Sequence, residues 1–378
     1  MSVFDYSGQW TGETEANPPA RVVLDLDHSA NGSAGFAYHF SLTQQMPSTV
    51  FEVSLNSTRR EFSFSAKPFP FDCQSGRIFF GSDFAIRYPG VTFSSQIELT
   101  VKRIDQNTIS IQWQSDLGET GRCELARTVM PASSLLEADS SVWSWNTFKA
   151  MASTLKFRNF IFRGQSRDYP LQTAFHRTRR KSLHYFLNND VRELHRAITG
   201  ISNYIFDLNK PDDLGAFLSL AQHHGYPTPL LDWTYSPFVA AWFAYEGVLK
   251  DRKRRNRRDE KVRIYGLDRS LMSKFSQFQH ITNVVPHTSI LETLSIENRR
   301  AIPQQGVLML TNVQDVEQHL FDLGSPHGIS FLKAYDLPVS DVEDALNDLA
   351  MMGITRSTMM PGIDSICFDL RQRLFSHP

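Results

Sequence analysis

Arg163 and Gly164 close a run of bulky apolar residues in the stretch FIFRGQSRDYPLQTAFHR, which begins at Phe160. An arginine delivered by a buried strand offers a planar fork of donors suited to phosphate or carboxylate oxygens. A glycine beside it leaves backbone that a flat ligand can approach closely. Phe162 and Gln165 flank the pair and join Gly164 as candidate binding residues. Downstream, LDWTYSPFVAAWFA places Thr234 and Ser236 directly before an Ala/Phe-rich stretch, whose helical N-terminus would itself favour an anion. Trp233 could stack on a heterocycle, and His223 and His224 are candidate ligand residues. Each of these residues also has a structural reading. Arg163 can pair with Asp232 to lock its strand to the LLDWT segment, Ser236 can cap a helix, and paired histidines at a helix end favour its dipole. Trp233 and Trp242 equally suit a core. No third His, Cys or carboxylate stands at a metal-ligand spacing from the two histidines, so no metal is expected.

The elements that must position these residues follow from periodicity. In the first third, apolar residues recur at every second position: Val22, Leu24 and Leu26, then Ile97, Leu99 and Val101, then Ile109, Ile111 and Trp113 after a turn at 105–107. With GFAYHFSL, STVFEVSL, EFSFSAK and RIFFG as further strands, an antiparallel sandwich or barrel is expected over residues 1–130. Residues 8–12, GQWTG, resemble the Gly-x-Trp opening of lipocalin-type barrels. The plain reading of Trp10 is an ordinary core aromatic of an all-β domain without a ligand.

From about Met130 the texture turns helical, starting with ASSLLEADSSVWSWNTFKAMASTL, and the boundary is placed at 128–140. PDDLGAFLSLAQHHG sets Leu214, Phe217, Leu218 and Ala221 on one helix face with Gly225 beyond its end. SPFVAAWFAYEG reads as a second helix from Ser236 to Gly247, the intervening YPTPLLDWT as extended, and VRIYGL as a strand. The fold class expected is α+β, with a mixed α/β domain over 140–378.

Composition narrows the function classes. Among 378 residues, 39 Lys and Arg nearly cancel 40 Asp and Glu, so no whole-molecule field draws the protein towards nucleic acid or acidic lipid. Only the local run RKRRNRRDEKVR, with Arg254, Arg255, Arg257 and Arg258, could contact phosphates, and it lacks aromatics for base stacking. Three scattered cysteines argue against a disulfide framework. The opening lacks a secretory pattern, and the longest apolar run, 238–245, is too short to span a bilayer. A cytoplasmic protein without membrane partners is expected.

The ordered motifs FIFRGQSRDYPL, LAQHHGYPTPLLDWTYSPFVAAWFA, RAIPQQGVL and GITRSTMMPGID resemble the FRG domain family, whose Phe-Arg-Gly stands here at Phe162, Arg163 and Gly164. The resemblance spans roughly 140–378. Pro229 departs from it, where the family pattern has arginine. The order of an early-strand arginine, a hydroxyl at a strand end before a helix, and a late polar residue at a strand start is also similar to ADP-ribosyltransferases. That second resemblance implies Arg163 on the NAD phosphates or ribose, Thr234 or Ser236 ordering the nicotinamide pocket, and Gln304 or Gln305 where the family has glutamate. A carboxylate about 4 Å from the sugar cation would contribute on the order of 1–4 kcal/mol. A neutral glutamine forgoes most of this, leaving Glu297 as the nearest substitute acid, with Asp232 or Glu246 further off.

The leading expectation is therefore an NAD-using enzyme, ADP-ribosyltransferase-like or NAD-hydrolysing, with NAD as substrate and a macromolecular acceptor, and with stress or antiviral defence as its setting. The alternative is a non-catalytic module in which the FRG half binds a nucleotide or nucleic-acid end and the β-half binds a partner protein. A nuclease-like role for the basic run is a third.

Overall fold

The alternation along the first third builds one antiparallel sheet of nine strands in the computed structural model, which describes residues 5–375 apart from 16–18, 31, 42–44, 57–58, 73–76, 179, 251–259 and 276–282. The strands are β1 (Gly8–Thr14), β2 (Arg21–Ser29), β3 (Gly32–Phe40), β4 (Ser48–Asn56), β5 (Glu61–Ala66), β6 (Phe69–Phe71), β7 (Ile97–Arg103), β8 (Thr108–Ser115) and β9 (Thr120–Arg127). Their order is β5-β7-β8-β9-β1-β2-β3-β4-β6, a single curled sheet in place of the two facing sheets of a sandwich. Val22, Leu24 and Leu26 turn to the inner face with Trp10, Val53, Leu99 and Ile111. RIFFG is not a strand: Ile78 makes one isolated bridge, to Phe71.

Two compact units result. The first takes in Met1–Met130 together with Thr173–Asn203 and His280–His287, so it is discontinuous in sequence. Val284 and Val285 from the last segment pack against the outer-face cluster of Val23, Tyr38, Phe40, Val50 and Phe71. From the middle segment, Arg180 Nε donates to Asp27 Oδ2 at 2.9 Å, and the Lys181 and Ser182 amides donate to Asp27 Oδ1. Asp25 and Asp27, which alternation alone would leave in water, are both buried.

The second unit is built on a six-stranded sheet, antiparallel throughout: β10 (Phe160–Gln165), β11 (Leu230–Thr234), β12 (Lys261–Asp268), β13 (Thr288–Leu291), β14 (Gly306–Thr311) and β15 (Leu332–Pro338), in the order β13-β14-β11-β10-β12-β15. Helices Trp145–Ser153, Pro237–Lys250 and Val342–Met351 pack Trp145, Phe148, Ala240, Tyr245 and Leu349 on one face, against Phe162 and Ile264. The other face buries Ile161, Trp233, Tyr265 and Met309 with Val316 and Leu320 of helix Val316–Gly324.

Two further local expectations need correction. Residues 131–144 are not helical. Ala138 bridges to Ala334, and the Asp139 carboxylate takes the Ser141 amide and hydroxyl, local bonds that compete with helix formation. The helix starts at Trp145, after Ser144 and Thr147 form a capping box. Gly247 does not end the second helix, which runs to Lys250. It lies within the helix because a Cβ there would stand 2.8 Å from that of Ser166. Helix Pro211–His223 forms as the spacing predicts, with Leu214, Phe217, Leu218 and Ala221 buried and Gly225 at φ 88° just past its end.

Candidate functional site

Strands β10 and β11 pair at one position, Phe162 opposite Thr234, although β10 goes on to pair with β12 as far as Gln165 opposite Arg263. The two strands therefore part in the middle of the sheet, directly after Phe162. Arg163 stands at the parting. Its Nη1 donates to the Asp232 carbonyl oxygen at 2.7 Å, a side chain reaching β11 where the ladder has stopped. The residue is half-buried, so part of it remains at the surface.

Beside it, Gln165 Nε2 donates to the Tyr169 carbonyl at 3.1 Å and pins the turn after β10. Gly164 lies against helix Pro237–Lys250, where a Cβ would meet the Ala240 carbonyl oxygen at 1.8 Å. Close helix-to-strand packing thus requires the glycine. Phe162 and Trp233 are core residues, 2% and 3% exposed, on opposite faces of the sheet.

Thr234 closes β11 and faces Gly306 at the start of β14. It is 4% exposed; its hydroxyl donates to the Gln304 carbonyl at 2.7 Å and accepts the Ser236 amide at 3.0 Å. Ser236 Oγ in turn accepts the Val239 amide at 3.2 Å, the helix-capping contact of its structural reading. Gln304 Nε2 donates to the Met359 carbonyl at 2.7 Å, and the Gln305 carbonyl accepts the Tyr235 amide at 3.1 Å. Gln305 takes φ 47° and Glu297 φ 54°, so two of the three non-glycine residues at positive φ among those described lie in this one loop.

The Arg163, Thr234 and Gln305 segments are therefore neighbours in the sheet. Their side chains do not share a face. Alternation sets Arg163 with Ile161 and Trp233, whereas Thr234 stands opposite Phe162 on the side of the 237–250 helix.

On that second side, Asp232 Oδ1 accepts Gln222 Nε2 at 2.6 Å, and Gln222 accepts the Thr228 hydroxyl. His223 lies near enough for the Asp232 carboxylate to raise its pKa. Burial outweighs this and holds the imidazole below its ordinary value, with Arg300 and His224 adding to the depression. His224 caps the C-terminus of the 211–223 helix. Arg300 is the residue that sequence reading missed; its only signal was position, four residues before Gln304 in ENRRAIPQQ. Glu297 is exposed, and Glu246 is engaged by Arg356 Nη1 at 2.6 Å. Arg254, Arg255, Arg257 and Arg258 lie outside the described residues.

Among the described residues, no group of three or more His, Cys, Asp or Glu is placed to hold a metal ion. No described helix is long and apolar enough to cross a membrane. Residues 158–253 match the family model of the FRG domain, a span that includes β10, β11 and the helices that flank β11. Comparison with curated proteins and with solved structures gave no match.

Proposed function

With an FRG domain at residues 158–253 as the premise, we propose that the second unit binds a nucleotide diphosphate, with NAD the foremost candidate, at the parting of β10 and β11. The supporting observation is Arg163. It stands where the sheet opens, one nitrogen is anchored on the Asp232 carbonyl, and it keeps a surface-accessible portion. Such anchoring fixes the plane of the guanidinium, so less side-chain freedom is lost when two phosphate oxygens are bound.

Cleavage of the nicotinamide–ribose bond is the second reading, favoured by the order of Arg163, Thr234 and Gln305 along the chain. Two observations weigh against it. The Thr234 hydroxyl and the Gln304 carboxamide already hold main-chain groups, and the residue in the glutamate position is neutral. A developing sugar cation would then depend on Glu297 for a carboxylate.

Both readings are tested on the full chain with NAD. Binding raises the melting temperature in a concentration-dependent way. Arg163→Ala should weaken it roughly tenfold or more, the loss of a charge-assisted bidentate contact, and Arg163→Lys should restore it only in part. Release of nicotinamide that disappears in Glu297→Gln would establish cleavage; retention of intact NAD would establish binding alone. An NAD response unchanged in Arg163→Ala would remove both readings.

A further inference from the structure

Inside the curled sheet of the first unit lies a cavity of about 1240 Å³. Protein interiors are close-packed and seldom hold voids larger than a water, and small barrels either fill with side chains or hold one ligand. Here side chains fill one end. Trp10 and Tyr6 are fully buried, and the indole Nε1 donates to the Tyr6 carbonyl at 2.8 Å, so that end is packed shut. The cavity occupies the other end, where β1, β3 and β8 finish and β2, β4 and β9 begin.

The wall is graded. Its deep part is apolar, set by Leu24, Val53, Val101 and Ile111. Polar groups gather toward the mouth, where His39, Thr49 and Ser115 are joined by the charged Glu15, Glu98, Glu119 and Arg122. The His39 and Trp113 rings approach edge to face with centroids 6.2 Å apart, although three strands, β9, β1 and β2, lie between β8 and β3 along the sheet, so they meet across the lumen. Cross-strand from Trp113, Gly121 leaves the room the indole occupies: a Cβ there would fall 2.0 Å from the ring.

Burial pushes the His39 pKa down, leaving it neutral at neutral pH. Burial also pushes the Cys123 thiol in the wall up to about 12, so it stays protonated. Neither side chain supplies a counter-charge in the depth of the cavity, and the charged lining residues Glu15, Glu98, Glu119 and Arg122 stand at the strand ends by the mouth, so an ion carried inward would be desolvated without compensation. From the apolar depth an apolar body displaces water favourably.

We propose that this cavity is a binding site for an uncharged, largely apolar small molecule that enters tail-first and leaves one hydrogen-bonding end at the His39–Thr49 mouth. The probe for the test is N-phenyl-1-naphthylamine, a neutral dye that brightens in apolar surroundings and accepts energy from tryptophan. The full chain should bind it saturably, with energy transfer that falls in Trp113→Phe. Straight-chain alcohols should displace it, each added methylene tightening binding about fourfold until the chain outgrows the cavity. The matching carboxylates should compete less well.

Ala37→Phe fills the lumen and should abolish saturable binding while circular dichroism stays native. Should that variant misfold, Thr49→Arg serves instead, and should invert the preference from alcohol to carboxylate. Absence of saturable dye binding, equal binding in Ala37→Phe, competition independent of chain length, or an unmoved preference in Thr49→Arg would each overturn the proposal.

Discussion

A methyl group at position 164 would stand 1.8 Å from the Ala240 carbonyl oxygen and 2.9 Å from the Ala244 amide nitrogen. Both atoms belong to helix backbone, which cannot turn aside as a side chain can. Gly164→Ala should therefore cost on the order of 1–3 kcal/mol or more, read as a lower urea midpoint with the slope unchanged; an unaltered midpoint would mean the helix is not seated as described. The same contact gives the glycine of the Phe-Arg-Gly motif a packing role beside any ligand role. Thiol chemistry offers a second test at this scale. Cys123 is 1% exposed with its pKa pushed up to about 12, while Cys367 is exposed. Brief maleimide treatment of the native protein should label Cys367 and spare Cys123 until denaturant is added; early labelling of Cys123 would contradict its place in the wall.

At the scale of elements, the helix Pro237–Lys250 links the second unit's parts. It covers β10 through Gly164, begins where β11 delivers Ser236, and carries Glu246, which is 5% exposed and receives Arg356 Nη1 at 2.6 Å. Arg356 also lies over the Phe368 ring at 4.1 Å, joining helix Arg356–Met359 to helix Ile363–Phe375. Removing one partner of a buried pair strands the other, at a cost of about 3–5 kcal/mol. Arg356→Met should destabilise the protein by that order, and the double substitution Arg356→Met with Glu246→Leu should recover much of the loss. A double variant no better than the single would show that the pair acts otherwise. This engagement also means that Glu246 is already committed to Arg356 and would have to leave it to serve a sugar cation.

For the molecule as a whole, pH dependence follows from carboxylate and amine groups that the first unit buries. Asp25, receiving Gln9 Nε2 at 2.9 Å, has its pKa raised from 3.8 to about 7 by burial, with Asp27 adding to the rise and Lys181 opposing it. Between those values the folded state holds a proton the unfolded state has lost, so stability falls as pH rises from about 4 to 7. Lys181, whose ammonium donates to the His176 and Thr178 carbonyls, is lowered from 10.5 to about 8, again by burial. Between 8 and 10.5 the unfolded state holds the extra proton, so stability rises with pH. Urea midpoints across this range should pass through a minimum near pH 7–8, and Asp25→Asn should flatten its acid side. A wild-type midpoint that falls no more steeply from pH 4 to 7 than that of Asp25→Asn would refute the assignment, since the depressed His39, His184 and His223 add the same opposite slope to both.

Local rules carried much of this protein. Period-two alternation set β2, β7 and β8, and helical spacing with a terminal glycine set the 211–223 helix, because side-chain direction follows from backbone geometry alone. Tertiary structure decided the rest. The sheet order β14-β11-β10 makes neighbours of the segments that carry Arg163, Thr234 and Gln305. That β10 and β11 part after one pair, that Arg163 and Thr234 face opposite sides, and that residues 173–203 return to bury Asp25 and Asp27 all depend on contacts between segments distant in sequence. The cavity belongs to the same class, since nine strands of ordinary alternation can fill their lumen or leave it open, and only the summed volume of side chains meeting across it determines which.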